Sequence, residues 1–236
     1  MKSIIIGTYF HLLTFLRVKK ALFFAFFFPS FIYVLFSQIW GVGNEDYQIF
    51  LLTGVIVMAT VSDALFSTGN LIANYYQSGF IRFFMVIPNS FVKHISTLII
   101  SRIIIVLLSS IIIFVVAYLI SCLKFSLSDI LFVLSGISAG LLIFTLIGLI
   151  IAEIVKDPLA NTGISNFIFF GILFLSNTLY PLTELNPALK KVVLFNPMTP
   201  VLELTRGALH IVPLVIWIVA LVMIQSIIFV KNRLKR

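Results

Sequence analysis

The residue types that carry out chemistry are few and scattered in this sequence. His11, His94 and His210 lie far apart along the chain, and Cys122 is the only cysteine. The sequence has no Gly-rich phosphate loop ending in Gly-Lys-Ser/Thr, no paired carboxylates on one face and no Ser/His/Asp set. It therefore predicts no catalytic site, no metal site and no hydrolysis of ATP by this chain itself.

One acid lies deep inside an apolar segment. Asp63 ends the string Ala59-Thr60-Val61-Ser62-Asp63. A charged group in hydrocarbon is costly and normally faces a cavity or a partner. Asp63 is therefore either a residue of a translocation pathway or a structural side chain that is hydrogen-bonded to a neighbouring helix. The structural interpretation is the preferred one.

The composition places the chain in a membrane. Hydrophobic residues make up 61% of it and charged residues 10%, with a mean hydropathy of +1.20. A soluble domain of this length needs charged residues at roughly a quarter of its positions. The net charge of +8 could suggest nucleic acid, but the basic residues sit beside apolar segments and form no stripe with aromatics. Membrane topology explains them better, so no nucleic-acid partner is expected.

The apolar runs are continuous and long, which favours membrane-spanning helices of about 20 residues over the alternating strands of a barrel. The sequence therefore predicts an all-α membrane protein with a single domain over residues 1–236. Six spans are predicted: Ala21–Trp40, Ile49–Leu71, Thr97–Ile120, Ile130–Ile154, Ile164–Tyr180 and Val212–Val230.

Lysine and arginine crowd onto one side of this arrangement. That side carries Lys2, Arg17, Lys19, Lys20, Arg82, Lys93, Lys156, Lys231, Arg233, Lys235 and Arg236. Cytoplasmic connections are enriched in Lys and Arg. The pattern therefore predicts that both termini are cytoplasmic in a bacterial inner membrane, which agrees with an even number of spans.

The first twenty residues, 1–20, have two distinct faces at helical spacing. One face carries Ile5, Tyr9, Leu12, Leu13 and Leu16, and the other carries Ser3, Gly7, His11, Thr14 and Arg17. This pattern predicts an amphipathic helix lying in the cytoplasmic interface of the membrane. A disordered basic tail is the alternative.

Two connections are too long for simple turns. The first long connection, residues 72–96, is cytoplasmic in the predicted topology and rich in aromatics, which indicates docking to a partner or to the membrane. The second, residues 181–211, is external and is divided by prolines into two predicted short helices, Ala188–Phe195 and Pro200–His210. We expect these helices to re-enter the outer leaflet, where their backbone must be buried in protein or line a wet cavity.

Two smaller patterns carry structural predictions. Gly136 and Gly140 form a Gly-x-x-x-Gly face, which is typical of close helix packing, within one protomer or between two. Glu153, Lys156 and Asp157 are predicted to form a solvated cluster at the cytoplasmic end of the fourth span.

Both long connections contain motifs that resemble one known family. The first contains the string Gln77-Ser78-Gly79-Phe80, and Pro88-Asn89-Ser90 ends it. The second contains Ser176-Asn177-Thr178-Leu179-Tyr180-Pro181, then Asn196-Pro197-Met198-Thr199-Pro200 and then Glu203-Leu204-Thr205-Arg206-Gly207. These strings resemble, in order, the coupling segment and the external segment of ABC-2 type permeases, the membrane subunits of type-2 ABC exporters. The sequence departs from the family pattern at Tyr75, Tyr76 and Gln77, where acidic residues are usual, and at Asn177, where glycine is usual.

The resemblance implies a function and a set of partners. It implies a six-span permease with an interfacial N-terminal helix, a cytoplasmic coupling helix and two re-entrant helices. Two separate ABC ATPase subunits would bind ATP and magnesium, and a second permease protomer would complete the pathway. No cofactor is expected in this chain itself.

The resemblance also assigns roles to individual residues. The expected ATPase-coupling residues are Tyr76, Gly79, Phe80, Arg82, Phe83 and Pro88. The expected external-gate residues are Pro181, Asn196, Pro197, Pro200, Glu203 and Arg206. The substrate would be amphiphilic or lipid-attached: a drug, natural product, peptide or glycan.

Two other classes of protein are weighed against this one. A membrane-embedded acyl or glycosyl transferase would need polar catalytic residues converging at the interface, and none converge in the sequence. A secondary transporter usually shows internal repeats and spans broken at the midplane, and neither is present.

Overall fold

The computed structural model describes residues 2–80, 90–123, 125–181 and 187–234, and within those ranges the chain contains helices and no strand. Residues Pro187–Leu189 form a short 3-10 helix. In chain order the helices are α1 (Lys2–Arg17), α2 (Lys19–Trp40), α3 (Glu45–Gln77), α4 (Ser90–Ser121), α5 (Leu127–Ile154), α6 (Pro158–Phe174), α7 (Lys190–Phe195), α8 (Thr199–Thr205) and α9 (Ile211–Leu234).

Five of these helices are long and apolar enough to cross a membrane: α2, α3, α4 from Ser96, α5, and α9 as far as Ile228. The all-helical, multi-pass prediction is confirmed. The fifth predicted span, Ile164–Tyr180, coincides with α6, which has 17 residues. Such a helix is about 26 Å long, a little less than a hydrocarbon core of about 30 Å. The six-span topology therefore stays a prediction.

The predicted bounds of the fifth span, Ile164–Tyr180, are wrong. The helix begins six residues earlier because the Asp157 carboxylate accepts a hydrogen bond from the Ala160 amide at 2.8 Å, with Pro158 in the first turn. It ends at Phe174 because the side-chain amide of Asn196 donates to the carbonyls of Ile172 and Leu175, at 2.7 and 2.9 Å. A distant residue thus satisfies the last carbonyls of α6.

Helix α3 is the centre of the bundle. About 72% of its apolar window is buried, against 6% for α9. It packs against α2, α4, α5, α6 and α8. Gly54 makes one of these contacts possible, because a Cβ there would overlap the carbonyl group of Thr178.

The glycine face of α5 packs within the chain. A Cβ on Gly136 would overlap the Thr205 hydroxyl of α8. A Cβ on Gly140 would lie 3.1 Å from the Thr60 methyl and 3.2 Å from Val201. The glycines therefore let α8 sit between α5 and α3, and the prediction of a close-packing face is confirmed.

The structure changes the bounds of both long connections. The first is shorter than predicted, whereas the second is longer because the preceding helix ends at Phe174 and the next span begins at Ile211. Helix α3 continues to Gln77 and α4 begins at Ser90, so residues 72–96 are helical at both ends. In the second connection, α8 ends at Thr205 and not at His210. Gly207 has a φ of +86°, a left-handed conformation that stops a helix.

Residues 2–17 form the predicted helix α1, and only part of its polar face is exposed. Gly7 packs closely on Thr97 of α4, and Thr8 and Phe15 are buried. The apolar residues Tyr9 and Leu16 are exposed. Gly7 therefore contacts protein, whereas Thr14 and Arg17 of the same face are exposed. The exposed apolar residues of α1 face outward, where lipid can cover them.

Candidate coupling, gate and intramembrane sites

The structure describes three of the six predicted coupling residues: Tyr76, Gly79 and Phe80. Arg82, Phe83 and Pro88 lie outside the described residues. The Lys156 ammonium lies 5.8 Å from the centre of the Tyr76 ring. Gly79 has a φ of +72° and open space around its Cα, so backbone conformation selects glycine there. It turns the chain out of α3, and Phe80 beyond it is 44% exposed.

A cluster of rings ties the start of this segment to two other helices. The Tyr75 hydroxyl lies 2.7 Å from His94 Nε2, and the Tyr75 and Phe80 rings are 5.3 Å apart. The His94 ring in turn lies 5.0 Å from the ring of His11 on α1. Burial lowers the pKa of both histidines, and the pKa of His11 is lowered further by His94 and Arg102. Sequence reasoning treated these histidines as unrelated because 83 positions separate them.

Asn196 and the prolines around it shape the second connection. The Asn196 side-chain oxygen accepts from the Met198 amide at 2.9 Å, while its amide group holds the end of α6. Pro197 follows at the turn, and Pro200 stands in the first turn of α8. Pro200 is buried, together with Val201. Helix α8 is thus inserted into the bundle, although it is too short to cross it.

Arg206 joins the end of α8 to the start of α3. Its Nε donates to the Thr53 hydroxyl at 3.1 Å, and its Nη2 donates to the carbonyls of Phe50 and Asn177, at 3.2 and 2.8 Å. The guanidinium carbon lies 3.8 Å above the Phe50 ring. Burial lowers the pKa of Arg206 to about 10, against the opposing effect of Glu203. Arg206 therefore stays protonated at neutral pH.

Two carbonyls and the Thr53 hydroxyl, rather than the nearby Glu203 carboxylate, accept the hydrogen bonds of Arg206. Glu203 lies 3.2 Å from His210 Nδ1 instead. Pro181 follows Tyr180, whose hydroxyl donates to the Phe174 carbonyl. Five of the six predicted gate residues thus lie in or beside α8 and its preceding turn, and Pro181 lies at the far end of the same connection.

Asp63 has a partner that sequence reasoning missed. Its Oδ1 lies 3.4 Å from Nη1 of Arg102 on α4, and the two side chains are 12% and 14% exposed. The Ser67 hydroxyl also faces Asp63 Oδ2, at 3.4 Å. The signal was available, because Arg102 is a second ionisable residue inside a predicted span, and such residues tend to pair.

The predicted solvated cluster at the end of α5 is wrong for Glu153. That side chain is buried, and its Oε1 accepts from Gln225 Nε2 of α9 at 2.9 Å. Asp157 is the N-cap of α6. The prediction failed for Glu153 because its partner, Gln225, comes from a helix that is distant in sequence, whereas Lys156 and Asp157 are exposed as predicted.

These features define a multi-pass helical membrane protein in which buried polar side chains fasten helices together. Among the described residues, no group of three or more His, Cys, Asp or Glu side chains could hold a metal ion.

Comparison with known families identifies the class. The sequence model of the family described as ABC-2 type transporter matches residues 3–210 of the chain. The chain therefore belongs to the ABC-2 type transporter family and is a membrane permease component of an ABC transporter, a class that works with ABC ATPase subunits. No curated protein matches it.

Proposed function

We propose that this chain is the translocation subunit of an ATP-driven exporter in a bacterial inner membrane, with both termini in the cytoplasm. Two separate ATPase subunits bind ATP and magnesium, and a second permease protomer completes the pathway. The cargo is an amphiphilic or lipid-attached molecule that leaves the cytoplasm or the inner leaflet.

The family match over residues 3–210 carries this proposal. The sequence supports it, because a chain without a phosphate-binding loop must obtain the energy of ATP from a partner. The same match favours a permease over a transferase or a secondary transporter.

The geometry of α3 supports a route for the force. At one end, α3 leads into the coupling segment through Tyr76, Gly79 and Phe80. Near its other end, Phe50 and Thr53 accept the hydrogen bonds of Arg206. A partner that pushes on the coupling segment would therefore move the helix that holds α8. The remaining coupling residues of this proposal are Arg82, Phe83 and Pro88.

The second connection supports an external gate. Helix α8 is buried between α3 and α5, and α7 turns Val192, Leu194 and Phe195 outward. Two short helices of this kind, joined at Asn196, fit a re-entrant rim around an exit. The gate of this proposal consists of Pro181, Asn196, Pro197, Pro200, Glu203 and Arg206.

Purification of the complex tests the proposal. A nucleotide-binding subunit should co-purify with the tagged chain, and its ATP turnover in the complex should exceed that of the free subunit. Phe80→Asp should return turnover to the free value because it removes an exposed aromatic contact. Ser78→Asp is the matched control, since it adds the same charge two residues away at an exposed position. Full coupling in Phe80→Asp would remove this segment from the mechanism.

The topology is tested separately by cysteine labelling of intact cells in a Cys122→Ser background. An impermeant reagent should label a cysteine at position 190 and leave one at position 235 unlabelled. The reverse pattern would invert the topology.

A further inference from the structure

A cleft of about 360 Å³ lies between α1, α2, α3 and α4, and the Asp63–Arg102 pair forms part of its wall. Most of the other lining residues are apolar, with the aromatic side chains of Phe15, Phe24 and Phe66 among them. The size falls in the range of small-molecule sites, about 300–1,000 Å³. An ion pair and aromatic walls together form an environment for an amphiphile.

Two π-helical turns shape this cleft. Phe23–Phe27 is a π turn of α2 and supplies Phe24 and Ala25 to the lining, and Ala64–Thr68 is a π turn of α3 and supplies Phe66 and Ser67. π turns inside α-helices are rare and are frequent at functional sites. Ser109, also in the lining, donates to the Ala25 carbonyl at 2.6 Å. The π turns of α2 and α3 thus both lie where these helices line the cleft.

The guanidinium of Arg102 has unused hydrogen-bonding capacity. Its contact with Asp63 is long, at 3.4 Å, against the 2.7–2.9 Å typical of charge-assisted hydrogen bonds. Within the described ranges, no acceptor is bonded to Arg102 Nε, although that atom is buried. The nearest aromatic contact is Phe15, whose ring centre lies 5.5 Å from the guanidinium carbon. The contact of Asp63 Oδ2 with the Ser67 hydroxyl is also long, at 3.4 Å. An anionic group of a ligand can therefore compete for the Arg102 guanidinium, and a cationic group can compete for the Asp63 carboxylate.

The cleft is placed to receive its ligand from the membrane. Thr14, Val18 and Phe24 are exposed lining residues and mark its mouth, Val18 at 47% and Phe24 at 61% exposure. Val18 and Phe24 are apolar, so lipid can cover this mouth.

We propose that this cleft binds the headgroup of a zwitterionic phospholipid, with the phosphate on Arg102 and the ammonium on Asp63. The upper part of an acyl chain lies against Phe24 and Phe66. The binding site does not depend on ATP or on the ATPase partner, so it can be tested whether or not the exporter function holds.

Native mass spectrometry of the purified full-length chain measures the binding of three added lipids: dioleoyl phosphatidylethanolamine, dioleoyl phosphatidylglycerol and dioleoylglycerol. The ethanolamine lipid should bind best, because phosphatidylglycerol lacks the ammonium and dioleoylglycerol lacks both charges. Arg102→Gln should weaken binding of the ethanolamine lipid by about tenfold or more, the loss expected for a charge-assisted hydrogen bond. Asp63→Asn should remove the preference over phosphatidylglycerol. Arg17→Gln is the control, since it removes an exposed cation near the cleft but outside its lining.

A second variant leaves the ion pair intact and so separates binding from folding. Thr14→Trp places an indole at the exposed mouth and should weaken binding of the ethanolamine lipid, whereas Leu16→Trp, exposed on the same helix but outside the lining, should not. Equal binding in these two variants would overturn the proposal. Equal binding of all three lipids by the natural chain would also overturn the proposal. The Asp63–Arg102 pair would then serve only to hold α3 and α4 together.

Discussion

Replacing Arg206 by alanine should loosen the link between α8 and α3. The change removes the three hydrogen bonds to Thr53, Phe50 and Asn177 and the contact with the Phe50 ring. The carbonyl of Asn177 then loses a charged donor in a partly buried place. An outer segment that is no longer fastened to the central helix should unfold at a lower temperature.

The expected magnitude follows from these contacts. Hydrogen bonds to charged groups contribute roughly 1.5–3 kcal/mol each. Removing a buried cation also removes its desolvation cost, which offsets much of that sum. We therefore expect a net loss of about 3 kcal/mol from Arg206→Ala. For a chain of this length that corresponds to a drop in Tm of about 6–12 °C.

The assay is thermal unfolding of the purified protein, followed by intrinsic fluorescence. Arg206→Lys should show an intermediate drop, because an ammonium lacks the planar fork that reaches three acceptors. Arg206→Met retains the stem and removes the charge, so it separates packing from hydrogen bonding. Lys191→Ala is the control, since Lys191 is exposed. A Tm for Arg206→Ala within about 2 °C of this control would refute the reasoning, because surface substitutions usually shift Tm by about that amount or less.

Two further predictions follow. Gly54→Ala should destabilise the chain by about 1–3 kcal/mol, because the new methyl overlaps the Thr178 carbonyl. Gly163→Ala should stabilise it by about 0.4–1 kcal/mol, because no atom lies within 4 Å of its new Cβ. A higher Tm for Gly54→Ala than for Gly163→Ala in thermal unfolding would contradict the packing. Burial lowers the pKa of His11 and His94, so the docking of α1 on α4 should be fully present above about pH 6.5 and should weaken as pH falls through the folded-state values. A spin label on α1 should therefore become mobile in acid, and less so in the double variant His11→Gln, His94→Gln; mobility that is independent of pH in the natural chain would count against this coupling.

The sequence by itself determined the class of protein. Long continuous apolar runs leave lipid as the main solvent, and a backbone in lipid must satisfy its own hydrogen bonds. An all-helical, multi-pass fold therefore follows from the composition and from the continuous, non-alternating apolar pattern. The family resemblance followed from local strings, such as Asn196-Pro197 and Arg206-Gly207, whose spacing along the chain is readable without a structure. The close-packing role of Gly136 and Gly140 was readable as well, because it depends on a repeat within one helix.

Helix ends were less predictable. The start of α6 could have been predicted from the sequence, because Asp157 is a typical N-cap residue and Pro158 follows it. The predicted bounds missed it because they rested on the run of apolar residues alone. Its end was not available, because the side chain of Asn196, 21 residues beyond Leu175, holds the last carbonyls. When a residue remote in sequence donates to the last carbonyls of a helix, the local sequence carries no signal for that helix end.

Tertiary structure alone decided which polar residues meet. Asp63 pairs with Arg102 and Glu153 with Gln225, and the His11 ring lies 5.0 Å from the His94 ring, each across two helices. In a membrane bundle nearly every helix face is apolar, so the hydrophobic pattern does not say which faces touch. The polar partners are set by helix packing, and that packing depends on contacts between residues that are remote in sequence.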